Sequence, residues 1–192
     1  MKNWTILFVK SKKEREICEY LKKNLRCDLY LPFVPEKEAY YKIKGVSFTQ
    51  RELLFPGYVF IQTSIEADEI AANFKMVLQN IAENNNEMRE NIYKLLHYTK
   101  DNRQNVVLRE NEREYWQRLL GQDFCVKGSA GIVSDEKITI TSGPMLGLEG
   151  KIKWINKHKR EAAVETEIMG QLTEMKFMLE VMEENQKENK KK

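Results

Sequence analysis

The run Trp4-Thr5-Ile6-Leu7-Phe8-Val9 constrains the fold more than any other segment. Its residues are apolar, aromatic or β-branched with no polar alternation, the pattern of a strand covered on both faces in the middle of a sheet. The next segment supplies one cover. Ser11 and Glu14 have the spacing of a capping box, and Ile17, Tyr20, Leu21 and Leu25 recur at helical intervals, so a helix over 12–26 is expected to lie on that sheet. Leu29 to Val34 reads as an edge strand, because Pro32 has no N–H to give to a ladder. Glu36 to Thr49 mixes Tyr40, Tyr41 and Ile43 with charge and turns at Gly45, which predicts a mobile exposed hairpin or long loop.

Gly57 to Thr63 is the second strong strand, and Ser64 to Phe74 follows as a short amphipathic helix. Asn84-Asn85-Asn86 resists regular structure. Beyond it a helical stretch places Ile92, Leu95, Leu96 and Thr99 on one side, and a further helix, about 110–120, stops at Gly121. Past Gly128-Ser129-Ala130-Gly131 the pattern changes to short β-prone runs at 138–140, 151–155, 162–164 and 175–179, separated by turns. The fold class is therefore α+β: an N-terminal α/β sandwich over 1–121, a flexible linker over 122–132, a small β-barrel over 133–183 and a charged tail over 184–192.

Charge and motif content narrow the function. Lys+Arg 32 against Asp+Glu 29 gives a net charge of only +3, so contact with nucleic acid has to come from local clustering. Cys18, Cys27 and Cys125 are an odd number in a chain that starts without an apolar leader, which suits a reducing cytoplasm. The longest apolar run, Leu53 to Ile61, is broken by Pro56 and Gly57 and falls short of the ~20 residues that span a bilayer. His97 and His158 stand at no metal-ligand spacing, no phosphate-cradling glycine loop occurs, and no nucleophile and base pair up. The expectation is a binding protein, not an enzyme, with no cofactor and no metal.

Two clusters remain. Lys151 to Arg160 carries Lys151, Lys153, Lys157, Lys159 and Arg160 with no acid, and on a strand leading to a turn Lys151 and Lys153 share a face. Such a stripe attracts phosphate, with Arg160 or His158 able to hydrogen-bond or stack on unpaired bases; a solvated hairpin has the same composition. Trp154, alternating with lysines, reads as barrel core ahead of the alternative, a platform on which bases stack. In the second cluster, Leu53 to Phe60, a Pro56-Gly57 turn delivers aromatic residues at the start of a strand. Pattern alone leaves open whether Phe55 and Tyr58 fill a core or mark a partner site.

Trp4 in the first strand, the segment Phe55-Pro56-Gly57-Tyr58-Val59-Phe60 and the C-terminal Ile138-Thr139-Ile140-Thr141-Ser142-Gly143-Pro144-Met145, with Glu149-Gly150 after it, together resemble the NusG family. Asn156 to Ala162 looks like the LoaP-type antiterminator paralogues within it. The resemblance implies an NGN-like N-terminal domain followed by an SH3-like KOW barrel. It implies a cytoplasmic, monomeric factor that docks on the clamp helices of bacterial RNA polymerase through Trp4, Phe55 and Tyr58 and opposes termination. It also implies that Lys151, Lys153, Lys157, His158, Lys159 and Arg160 grip a nascent leader RNA hairpin. The family's Ile-Phe-Gly-Arg near the end of the barrel reads Ile168-Met169-Gly170-Gln171 here, which argues against contacts with ribosomal protein S10 or Rho. The competing reading is a free-standing RNA-binding or ribosome-associated KOW protein.

Overall fold

A computed structural model describes residues 2–98, 105–134 and 137–183. Thr99, the pair Asp135-Glu136 and the tail over 184–192 lie outside the described residues. The chain divides into two compact units, the first made of Met1–Glu36, Leu53–Gln117 and Ile168–Gln171, the second of Lys37–Glu52, Arg118–Glu167 and Leu172–Lys192.

The first unit is built on a four-stranded sheet. Strand β1 (Asn3–Val9) is followed by α1 (Glu14–Asn24) and β2 (Tyr30–Phe33). After the hairpin strands β3 (Glu36–Ile43) and β4 (Val46–Leu53) come β5 (Tyr58–Thr63), α2 (Ile70–Asn84), α3 (Asn86–Glu90), β6 (Ile92–Leu95) and α4 (Glu110–Leu120). The sheet order is β2-β5-β1-β6, so the Trp4–Val9 strand is interior and the Pro32 strand is an edge, as their compositions require. Leu7 and Val9 meet Val59, Ile61, Ile17, Leu21, Phe74 and Ile92 in the core on the helix-covered face. Each such side chain fully buried contributes about 1.5–3 kcal/mol.

Four expectations change here. The capping box does not form: Lys13 occupies the cap position with no side-chain cap bond, and Glu14 is instead buried, accepting from the Gly57 N–H at 2.6 Å. The helix expected to end near Phe74 runs to Asn84. The helical face drawn through Ile92 and Leu95 is a strand, because β1 offers an open edge where Leu7 pairs with Leu95 and Val9 with Ile92. Asn85, placed in an irregular stretch, caps α3 by accepting from Met88 N–H.

In the second unit, β3 and β4 turn at Lys44-Gly45, where both residues have positive φ. This hairpin joins a three-stranded sheet ordered β4-β3-β7, with β7 at Cys125–Val126, which explains why it groups with the later part of the chain. Strands β8 (Ser129–Ser134), β9 (Lys137–Ser142), β10 (Ile152–Asn156), β11 (Glu161–Ile168) and β12 (Gln171–Glu183) follow, with one turn of 3-10 helix at Glu149–Lys151. They form a five-stranded sheet ordered β10-β11-β12-β8-β9, in which β12 and β8 run parallel. Among the described residues β9 and β10 stay at opposite edges of this sheet, so the closed barrel expected from the strand spacing is not formed.

The linker expected over 122–132 is also corrected, since it contains β7 and the start of β8, with Cys125, Val126 and Ser129 buried. Close approach requires glycine both here and in the turn after β9. A Cβ on Gly131 would come within 2.9 Å of the Thr139 carbonyl, and one on Gly143, at φ +94°, within 2.6 Å of Ser129 Cα. Ser129 Oγ accepts from the Met145 N–H at 3.1 Å, tying that turn down.

Candidate functional site

On the second face of the four-stranded sheet, alternation places Trp4, Ile6 and Phe8 of β1 beside Tyr58 and Phe60 of β5, through the pairs Ile6↔Phe60 and Phe8↔Tyr58. The face is graded from sealed to open. At the sealed end Trp4 is 2% exposed, edge-on to Phe33 at 5.1 Å and to Phe60 at 6.5 Å. Phe55 is 7% exposed, lying 5.2 Å from Phe60 and 5.0 Å from Trp116. Both were expected as contact residues, and both are core: each ring is enclosed by other rings, leaving almost no surface for a partner.

Tyr58 differs. It is half-buried, with its ring 5.5 Å from Phe8, and Phe8 in turn lies 5.0 Å from Tyr93, which is 47% exposed. The three rings form a strip across β5, β1 and β6. Tyr93 reaches it because the ladder shifts register between Phe8 and Val9, pairing Lys94 with Phe8 and Ile92 with Val9 so that Tyr93 is the extra residue. Beside the strip a cavity of about 210 Å³ is lined in part by Ile6, Phe55, Tyr58, Phe60 and Leu96, with Lys94 also in its wall. An open apolar surface therefore survives at Tyr58.

The turn before Tyr58 is fixed from below. Gly57 has φ +87°, its carbonyl accepts from the Val9 N–H at 2.8 Å, and its N–H goes to the buried Glu14. A charge-assisted bond to a buried carboxylate holds such a turn more firmly than a neutral one.

In the second unit the basic segment is not one stripe. Lys151 ends the 3-10 turn instead of lying on β10, and a register shift between Ile152 and Trp154 breaks the expected alternation. Lys153 pairs with Glu165 at 2.8 Å. Arg160 pairs with Glu180 at 3.0 Å and lies 4.3 Å over the Tyr40 ring. Lys157, His158 and Lys159 project at the β10–β11 turn, all exposed, where Asn156 Oδ1 accepts from the Lys159 N–H at 3.0 Å. That bond and the positive φ of Arg160 shape a tight basic turn. The cations of α1 and its cap are more dispersed: Lys13 bonds Glu16, Lys22 bonds Glu19 and Arg15 bonds Glu36.

A family model described as "NusG: Transcription termination factor nusG" matches residues 2–114, more than half of the 192-residue chain. The chain belongs to the NusG family. Among curated proteins none matches it. NusG-family factors bind RNA polymerase and act in transcription elongation and termination without catalysing a reaction of their own. The matched segment includes Trp4, Phe8, Phe55, Tyr58, Phe60 and Tyr93 of the aromatic face and stops short of Trp116.

Among the described residues of this NusG-family chain no cluster of His, Cys, Asp or Glu could hold a metal, and no helix is long and apolar enough to cross a membrane. Burial pushes the Cys18 thiol up to about 11 and raises that of Cys125, whereas Cys27 is exposed. The turn at Met169-Gly170, both at positive φ, places its Gly170 N–H 2.8 Å from Glu112 Oε1, and the Tyr98 hydroxyl donates to the other oxygen of the same buried carboxylate.

Phe8 and Tyr93 were missed by sequence reasoning. Phe8 lies within an unbroken apolar run that marks no residue out, and the spacing of Ile92, Leu95 and Leu96 around Tyr93 is that of a helix. The one available signal was the Ile92-Tyr93 pair of strand-favouring residues ahead of Lys94.

Proposed function

We propose that this NusG-family chain is a LoaP-type elongation factor. It grips the clamp helices of RNA polymerase with the aromatic strip of its first unit and a nascent leader RNA hairpin with the basic turn of its second. By favouring the closed-clamp state of the polymerase it disfavours pausing and opposes hairpin-driven termination; the work is done by differential affinity for two states of the machine. The single observation that carries the reading is the strip Tyr58–Phe8–Tyr93, an open apolar surface on the family-matched segment. Trp4 and Phe55 support it from beneath.

The second hand is the turn Lys157-His158-Lys159, flanked by Lys151, Lys153 and Arg160, whose charge suits phosphate. Two modest contacts on one tethered assembly reinforce each other through effective concentration, which gives operon selectivity without tight RNA binding. The factor acts as a cytoplasmic monomer, and Met169 and Gln171, in the segment that the first unit takes up, make S10 or Rho poor partners.

The test is polymerase co-purification with wild type, Tyr58→Ala and Tyr93→Ala. Retention falling at least tenfold in the single or paired variants, with RNA affinity intact, supports the reading. Undiminished retention in the paired variant refutes it and favours a factor that binds RNA or ribosomes independently of polymerase.

A further inference from the structure

Trp154 is where sequence and structure disagree most usefully. Expected inside a barrel, it stands on edge strand β10 with 37% of its surface exposed. The chain's other tryptophans, Trp4 and Trp116, are 2% and 0% exposed. Trp154 pairs in register with Ala163, which is too small to shield a neighbouring indole. The indole N–H donates to Glu174 Oε1 at 3.1 Å, and the Lys176 ammonium lies over the ring, 5.4 Å from its centre, so β12 both orients the ring and places a cation over one face, leaving a nucleobase the other face or the place of the lysine. Lys153 is the next residue on the strand, and the basic turn Lys157-His158-Lys159 closes the same β10–β11 hairpin.

We infer that Trp154 is a stacking platform for one unpaired nucleobase of the bound RNA, with Lys176 meeting the adjoining phosphate. This rests on the RNA reading of the basic turn and goes beyond it by naming what is recognised: an unstacked base beside a helical stem. The chemistry suits the geometry. An indole held by a hydrogen bond at its edge keeps its orientation, and Lys176, on a four-carbon stem over the ring, reaches the phosphate of the incoming nucleotide once a base takes its place. Stem phosphates meet the turn without regard to sequence, whereas an aromatic face accepts only a base that has left the stack. The platform therefore makes the site prefer a loop or bulge over uninterrupted duplex.

The experiment uses the full chain, an RNA stem-loop with an adenine-rich loop and the same stem-loop with abasic ribose in the loop. With Trp4 and Trp116 buried, the red side of the tryptophan emission reports Trp154. The adenine loop is expected to quench it and the abasic loop to leave it. Trp154→Leu is expected to lose about 5- to 150-fold in affinity for the adenine loop. Trp154→Phe, which keeps a smaller ring, is expected to fall between. For the abasic loop Trp154→Leu and wild type should bind alike, closing a double-mutant cycle. Thermal melts of both variants exclude misfolding as the cause.

Wild-type affinity of Trp154→Leu for both RNAs, without quenching in wild type, overturns the platform and leaves the basic turn as the RNA site. Quenching by RNA polymerase but not by RNA overturns it in favour of a protein-binding surface. Failure of wild type to bind either RNA overturns the RNA reading itself, and the platform with it.

Discussion

Removing the Glu14 carboxylate should loosen the turn that presents Tyr58. Glu14 is 2% exposed and takes the Gly57 N–H at 2.6 Å. In Glu14→Ala that N–H stays buried and loses its acceptor, at a cost of about 1–3 kcal/mol, and the emptied volume adds to it. A net loss of about 2 kcal/mol lowers the melting temperature of a unit this size by about 8 °C or more. Glu14→Gln keeps an acceptor oxygen in place without the charge and should recover roughly half of the loss. The assay is urea and thermal unfolding of the three proteins, followed by polymerase co-purification at a temperature where all are folded. Retention should fall in the order wild type, Gln, Ala, because Tyr58 directly follows the glycine. If both variants unfold within about 0.5 kcal/mol of wild type, the range of ordinary surface substitutions, the buried bond does not hold the turn and the reasoning fails.

Alanine at Lys157 and Lys159 together should flatten the plot of log affinity for leader RNA against log salt by about 1.4 to 1.8, the loss of two phosphate contacts, while thermal stability stays put; an unchanged slope contradicts the basic-turn site. Alanine at Arg160 should also lower stability by about 1 kcal/mol in urea melts, since it removes both the Glu180 pair and the cation over Tyr40. A thiol reagent at mild alkaline pH should modify Cys27 quickly and Cys18 only on unfolding, because burial pushes the Cys18 thiol up to about 11; mass mapping of equal labelling would contradict this. Tyr98 is raised by its burial and by its bond to Glu112, so the neutral phenol is favoured in the folded state. The stability it supplies is whole below its unfolded value near 10 and is lost as pH rises beyond it. The urea midpoint of wild type should therefore drop between about pH 9 and pH 11 more than that of Tyr98→Phe.

Much of the first unit was legible because its signals are local. The unbroken run Trp4–Val9, the proline of β2 and the helical spacing of Ile17 and Leu21 each determine one element whatever surrounds it. What failed depended on partners distant in the chain. Glu14 has the spacing of a capping residue, and only the fold brings Gly57 to it. Ile92 and Leu95 are as compatible with a helix as with a strand until β1 offers an edge. Gly128-Ser129-Ala130-Gly131 has the composition of a flexible linker and the structure of a close-packed strand, since glycine serves both purposes and only the Thr139 backbone, 2.9 Å from a Cβ on Gly131, tells them apart.

The candidate site was legible in the same partial way. The Pro56-Gly57-Tyr58 turn was found, yet aromatic composition could not separate the sealed Trp4 and Phe55 from the half-open Tyr58, which depends on which rings stack over which. The basic cluster is visible as a charge count, but its concentration at Lys157-His158-Lys159 depends on a register shift in β10 and on which acids the neighbouring strands bring over, Glu165 from β11 and Glu180 from β12.

The most direct measurement is transcription in vitro across an intrinsic terminator, with and without a cognate leader hairpin in the template, adding wild type or the paired Tyr58→Ala, Tyr93→Ala protein. Readthrough that rises with wild type only when the hairpin is transcribed, and disappears in the paired variant, is the predicted result. Equal termination with and without wild type on the hairpin template would contradict the account.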